Sequence, residues 1–207
     1  KPALEERGFE VAVFHATGMG GRAFESLAGE GAFAAVMDFA PQEISNHLFG
    51  GLSAGADRMT SAGRAGTPQL VAPGCYDLVD FVGWQGVPPQ LQGRPVHAHN
   101  RLLSSAVLEP QERRQVAQSI CAKLSKAVAP VRLLLPNQGC NEWDRPGGEL
   151  HDAEGLAAFC EEMRQSCPEN AELIELDCHI NDAVFAQKVL EIFDSWTTTG
   201  VVKAGLQ

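Results

Sequence analysis

EPQERRQVAQSICAKLSKAVAPVRLLLP, residues 109–136, holds both signals that decide the fold. In its first part Val116, Ile120, Leu124 and Val128 recur every fourth residue, an apolar stripe along one side of a helix. Pro110 stands at the start, where a missing N–H leaves no hydrogen bond unmade. The reading is a helix over Glu109–Val128. The last part, Val131-Arg132-Leu133-Leu134-Leu135, is a short apolar run stopped by Pro136. It reads as a strand covered on both faces, as in a parallel sheet.

The same alternation extends outward. Towards the C-terminus a helix over Ala153–Cys167 with Asp152 as N-cap precedes a strand at Leu173–Leu176. Asp182 then opens a helix striped by Phe185, Val189, Ile192, Phe193 and Trp196. Towards the N-terminus, strands are predicted at Glu10–His15, Phe33–Met37 and Gln69–Ala72. Helices are predicted at Arg22–Ala28, Pro41–Phe49 and Asp57–Ala65. Pro95–His99 alternates and suits an edge strand, while Tyr76–Leu91, broken by glycines and prolines, reads as an irregular excursion. Strands alternating with helices imply a three-layer α/β fold: a mostly parallel open sheet, Rossmann-like, with helices on both faces. No linker divides the chain, so residues 1–207 read as one domain.

Composition narrows the function. The net charge of −10 argues against a nucleic-acid binder, whose affinity comes from clustered Lys and Arg. No run of apolar residues is long enough for a membrane span, and Lys1–Arg7 has no apolar signal core. The missing initiator Met reads as a fragment or processed product. The six cysteines form no C-x-x-C pair and suggest free thiols in a reducing, cytoplasmic setting. Cys75 reads as a small buried thiol rather than a nucleophile served by His15 or His97. No convergent metal-ligand spacing is found.

Ligands of open α/β sheets bind beyond the carboxyl ends of the strands. There the sequence places His15-Ala16-Thr17-Gly18-Met19-Gly20-Gly21-Arg22, then Asp38 and Glu43, then Gly74, Asn100 and Asp144. A glycine-rich turn opening a helix offers backbone amides and a partial positive charge to a small-molecule anion, such as a nucleotide, phosphate or carboxylate. Thr17, Gly18, Gly20, Gly21 and Arg22 are the candidate binding residues. Gly18-x-Gly20-x-x-Ala23 formally matches the dinucleotide fingerprint, with Asp38 twenty residues on as the acid. Asp38, Glu43 and His47 would line one wall and Gly74, Asn100 and Asp144 the other. His15, His97 and His99 are the candidate proton-transfer groups, because imidazole titrates near neutral pH. The competing reading is a regulatory protein-interaction module without activity of its own.

The strings His15–Ala23 and Asp38-Phe39-Ala40-Pro41-Gln42-Glu43-Ile44-Ser45-Asn46-His47 resemble the family of the tomato mosaic virus resistance protein. Gly50–Arg58, His97-Ala98-His99-Asn100 and Asp144-Arg145-Pro146-Gly147-Gly148 extend the resemblance over almost the whole chain. That family is described as an ATP-binding domain family with bacterial members of unassigned reaction, so the resemblance suggests ATP as a ligand. It implies two Rossmann-like halves, with this chain as the C-terminal one and the N-terminal half as its partner. A half-protein would expose an apolar face, and a homo-oligomer is expected.

Overall fold

The computed structural model describes residues 1–203. Its centre is a four-stranded sheet in the order β1-β2-β6-β7, formed by β1 (Val36–Asp38), β2 (Gln69–Val71), β6 (Val131–Pro136) and β7 (Ala171–Leu176). All three pairings are parallel, with Met37 beside Leu70, Leu70 beside Arg132 and Leu134 beside Ile174. Side chains alternate across a strand, so a parallel sheet needs cover on both faces. Val71, Leu133 and Leu135 meet α5 (Pro110–Leu124) and α6 (Ala153–Ser166). Leu70, Ala72, Leu134 and Leu176 meet α7 (Ala183–Thr198), through Phe185, Val189, Phe193 and Trp196. The expected α/β architecture is therefore present.

Helix ends follow local chemistry. Glu109 and Glu112 form a capping box at the start of α5. Asp152 accepts from the Gly155 amide at the start of α6. The helix predicted to reach Val128 ends at Leu124; Val128 is exposed, and its amide bonds the Gly63 carbonyl instead. The first site helix, α2 (Met19–Gly29), begins three residues before the predicted start, and α3 (Gln42–Phe49) matches its prediction closely. The helix expected over Asp57–Ala65 shrinks to α4 (Ser61–Arg64).

Two larger corrections bear on function. First, Glu10–His15 forms no strand. Between Glu10 and Ala16 the only backbone hydrogen bond among the described residues is the one the His15 carbonyl accepts from Thr17. Phe9 packs on Phe193 and Phe14 on Phe24 and Phe33, so side-chain anchors at either end hold a stretch that has no ladder. Amides without acceptors exchange freely. Those of Val11–Phe14 are expected to exchange near the intrinsic rate by mass spectrometry; protection matching β6 would refute this.

Second, the supposed excursion contains β3 (Leu78–Val82), and Leu103–Val107 forms β5, which the sequence reading missed. With the two-residue β4 (Val96–His97) they make a separate antiparallel sheet in the order β3-β5-β4. The predicted edge strand at Pro95–His99 thus belongs to this second sheet. Because it follows β2 directly, the second sheet stands at the carboxyl end of the parallel one, where a ligand is expected.

Candidate functional site

The glycine-rich turn leads directly into α2. Gly18, at φ 90°, is its N-cap and adopts a backbone that only glycine takes readily. Its amide donates to Glu43 Oε1, from the first turn of α3. Arg58 Nε donates to Glu43 Oε2 at 2.6 Å, while the guanidinium fork grips both oxygens of Asp38, at the end of β1. Glu25 of α2 completes the group by accepting from the Met59 and Ser61 amides. Burial alone would lower the Arg58 pKa; the Asp38 and Glu43 carboxylates overturn that and hold it well above the usual range. One guanidinium thus ties β1, α2 and α3 together beneath the turn.

This changes the roles of several candidate residues. Asp38 and Glu43 are buried and engaged inside the protein rather than facing a pocket. Two glycines of the turn have internal reasons to be glycine. A Cβ on Gly20 would lie 1.9 Å from the His15 carbonyl oxygen, and one on Gly21 would lie 2.0 Å from Glu43 Oε2. Yet the turn keeps donors that no internal acceptor uses. The amides of Met19, Gly20 and Gly21 have no acceptor among the described residues, as is usual for a first helical turn. Met19 is 85% exposed, and Arg22 is exposed beside it. Thr17 Oγ1 lies 3.3 Å from Nδ1 of the exposed His15.

Gly74 and Asp144 lie past the ends of β2 and β6. A Cβ on Gly74 would sit 2.1 Å from the Phe39 carbonyl oxygen, so glycine here allows the ends of β1 and β2 to touch. Asp144 Oδ1 accepts from His179 Nε2 at 2.9 Å, and Oδ2 accepts from the Cys140 and Asn141 amides. The other His179 nitrogen accepts from the Asn181 amide, so both ring positions are engaged internally. Burial pushes the Cys75 thiol up to about 12, with Asp77, Asp80 and Asp144 adding to it, which leaves it unreactive at neutral pH. Asn100 caps its own turn by accepting from the Leu102 and Leu103 amides, and His47 is exposed near the end of α3.

His97 and His99 do come together. Their rings are 6.3 Å apart and both pack on Trp143, and His97 Nδ1 lies 3.2 Å from a Glu149 oxygen. The second sheet adds a buried carboxylate that sequence reading missed, Asp80. Asp80 pairs with Ser105 across β3 and β5, and Ser105 pairs with His97 across β5 and β4. Directly opposed residues of an antiparallel sheet share a face. Asp80, Ser105 and His97 therefore form one cross-strand row. Ser105 Oγ and Gln42 Nε2 both donate to Asp80 Oδ1, at 2.6 and 2.7 Å. Gln42 precedes Glu43, so one turn of α3 serves both the glycine turn and this row.

Two clefts lie elsewhere. One of about 770 Å³ is lined by residues of α5 and α6, including Arg114 and Glu161, and one of about 310 Å³ runs from Leu48 to Arg94 and Glu112. Neither is lined by a predicted site residue. Among the described residues no three His, Cys, Asp or Glu side chains are placed to hold a metal ion, and no helix is long and apolar enough to cross a membrane.

Residues 1–197 match the model of the C-terminal domain of the uncharacterised protein family UPF0261. The chain belongs to this family. A UPF0261 protein of Brucella melitensis is 50% identical over 206 residues, covering 99% of this chain and 49% of that protein. The ToMV resistance protein Tm-1 of tomato is 33% identical over 196 residues, 93% of this chain and 26% of its own length. A UPF0261 protein of Clostridium tetani is 33% identical over 188 residues, 46% of its length. The chain thus spans about half the length of the bacterial relatives it matches, and the resemblance read from its motifs holds.

Proposed function

We propose that this domain binds a small anionic molecule at the carboxyl edge of its parallel sheet, as one part of a longer protein. The observation that carries the reading is the split use of the first turn of α2. The Gly18 amide is pinned from below by Glu43, Arg58 and Asp38, and the Met19, Gly20 and Gly21 amides are left without acceptors. Glu43 is the positioning residue of this turn, and a phosphate or carboxylate would approach the first-turn amides from the side of the exposed Met19, with the exposed Arg22 alongside. ATP, suggested by the family resemblance, carries such a group.

The test uses Met19→Glu. Met19 is exposed, so the variant folds, and its carboxylate competes for the same amides while favouring the helix by about 0.3–1 kcal/mol. At a hundredfold excess over Kd, a ligand stabilises by about 2.7 kcal/mol. For a chain of this size that raises the melting midpoint by roughly 5–11 °C. The expected result is a rise of this kind with ATP or inorganic phosphate in the wild type and none in Met19→Glu. No rise with ATP, NAD or phosphate sinks the reading. It would favour a protein-interaction module instead, for which the unpaired Glu10–Ala16 stretch and the exposed Val13 speak.

A further inference from the structure

We infer that this chain pairs with a second copy of itself by reciprocal insertion, the exposed indole of Trp84 on each copy entering the cleft between Leu48 and Arg94 on the other. The first support is where apolar surface is left uncovered. Ten large apolar side chains are exposed among the described residues, and five of them, Leu48, Trp84, Val87, Val96 and Leu102, come from the end of α3 or from the second sheet and its connections. Single exposed apolar residues are ordinary, but a gathering in one region marks a contact site. Trp84 is 66% and Leu102 65% exposed. The Gly83 amide donates to the Leu102 carbonyl, so both stand just beyond the same end of the β3-β5 pair. The backbone that carries Trp84 is fixed. It forms a short helical turn, Gly83–Gln85, that follows β3 directly, and Pro88 and Pro89 stiffen the chain beyond it. A side chain on a backbone already held in place loses less freedom on docking, and tryptophan is among the residues that anchor interfaces.

The second support is a hole of matching kind on the same molecule. The cleft of about 310 Å³ is lined by the buried Leu91, the half-buried Phe49 and the exposed Leu48. Arg94 also lines it, and both oxygens of Glu112 hold its guanidinium, a fixed flat cation of the kind that stacks on an indole. The volume lies at the lower end of the range of about 300–1,000 Å³ that takes small organic groups, and an indole is such a group. Trp84 precedes Gln90 of the lining by only six residues, yet it is exposed rather than inserted in its own cleft. A projecting group and a receptor close together on one molecule are both used when a two-fold axis relates two copies, the commonest symmetry of protein pairs. That is why the occupant is a second copy. A foreign partner would have to supply both an indole-like group and an indole-sized cleft, whereas a second copy carries both. Neither feature belongs to the α2 turn, so the inference stands if that turn binds nothing.

Sedimentation equilibrium of the chain from about 1 to about 100 μM tests the pairing, since interfaces of ordinary size reach μM affinity or better. A monomer–dimer equilibrium is expected. Trp84→Ser removes the knob, and Leu48→Glu sets a charge in the hole. Both positions are exposed, and circular dichroism with thermal melting checks that each variant folds. Each variant alone should dimerise at least about thirtyfold more weakly than wild type, the effect of losing a single interface hot spot. The one-to-one mixture then tests reciprocity. Leu48→Glu keeps its indole and Trp84→Ser keeps its cleft, so the mixed pair regains one of the two insertions and should associate more tightly than either variant with itself. A wild type that stays monomeric throughout, a dimer constant unchanged in either variant, or a mixture no tighter than the variants alone overturns the inference. No readout involves ATP or phosphate, so failure here is distinct from failure at the α2 turn.

Discussion

Replacing Arg58 with methionine is expected to destabilise the fold by about 3–5 kcal/mol, the usual effect of removing one partner from a buried ionic group. For a chain of this length that lowers the melting midpoint by roughly 6–20 °C. The guanidinium is 4% exposed and is the only cation bonded to Asp38 and Glu43 among the described residues. Methionine fills much of the volume and leaves both carboxylates buried without a counter-charge. Arg58→Lys should recover only part of the loss. An ammonium can replace the charge but not the fork that holds both Asp38 oxygens and Glu43 at once. Because Glu43 holds the Gly18 amide, the effect should also be local: amides of residues 18–22 should exchange faster in Arg58→Met even where the chain remains folded. Thermal unfolding with amide exchange on the three proteins checks both parts. A midpoint within 2 °C of wild type for Arg58→Met would mean that the network carries no net stability.

Gly74→Ala is expected to cost about 3 kcal/mol, near the upper end of the overpacking range. The new Cβ would fall 2.1 Å from the Phe39 carbonyl oxygen, with Ile180 Cδ1 at 3.4 Å behind it. The obstacle is backbone, so no rotamer change relieves it, and the Ala72 amide already bonds the Asp38 carbonyl across the same two strand ends. Gly31→Ala is the matched control. Its Cβ would meet nothing within 4 Å, and only its φ of +72° opposes alanine, by about 1–2 kcal/mol. Thermal unfolding should rank Gly74→Ala clearly below Gly31→Ala. The reverse order would show that the strand ends separate easily and that Gly74 is present for some reason other than packing.

Gly74 also shows where motif reading loses information. A glycine beyond a strand end reads as room for a ligand, and Gly20 and Gly21 read the same way. In the folded chain each makes room for the protein itself: the Phe39 carbonyl, the His15 carbonyl and the Glu43 carboxylate. Asp38 illustrates the same limit, because its spacing from Gly18 suits a ribose-binding acid while its oxygens are engaged by Arg58. Spacing along a chain cannot tell an internal partner from an external one. His97 and His99 were recognisable as chemistry-bearing residues, but their neighbours were not. Asp80 lay in a stretch broken by glycines and prolines, and Ser105 in one without a strong strand signal.

What the residues determined unaided was local: the periodic stripes of α5 and α7, the start of α6 at its Asp152 cap, the buried runs of β2 and β6, and hence a parallel sheet covered on both faces. These features depend on neighbours within a few positions, so periodicity records them. Only the tertiary structure decided that Glu10–His15 lacks a ladder, that Leu78–Val82 pairs with Leu103–Val107, and that Arg58 closes on three acids from three different elements. The physical reason is that strand pairing and ion pairing are settled between segments 15 to 33 residues apart, where burial and geometry select one partner among many that the chain alone leaves equivalent.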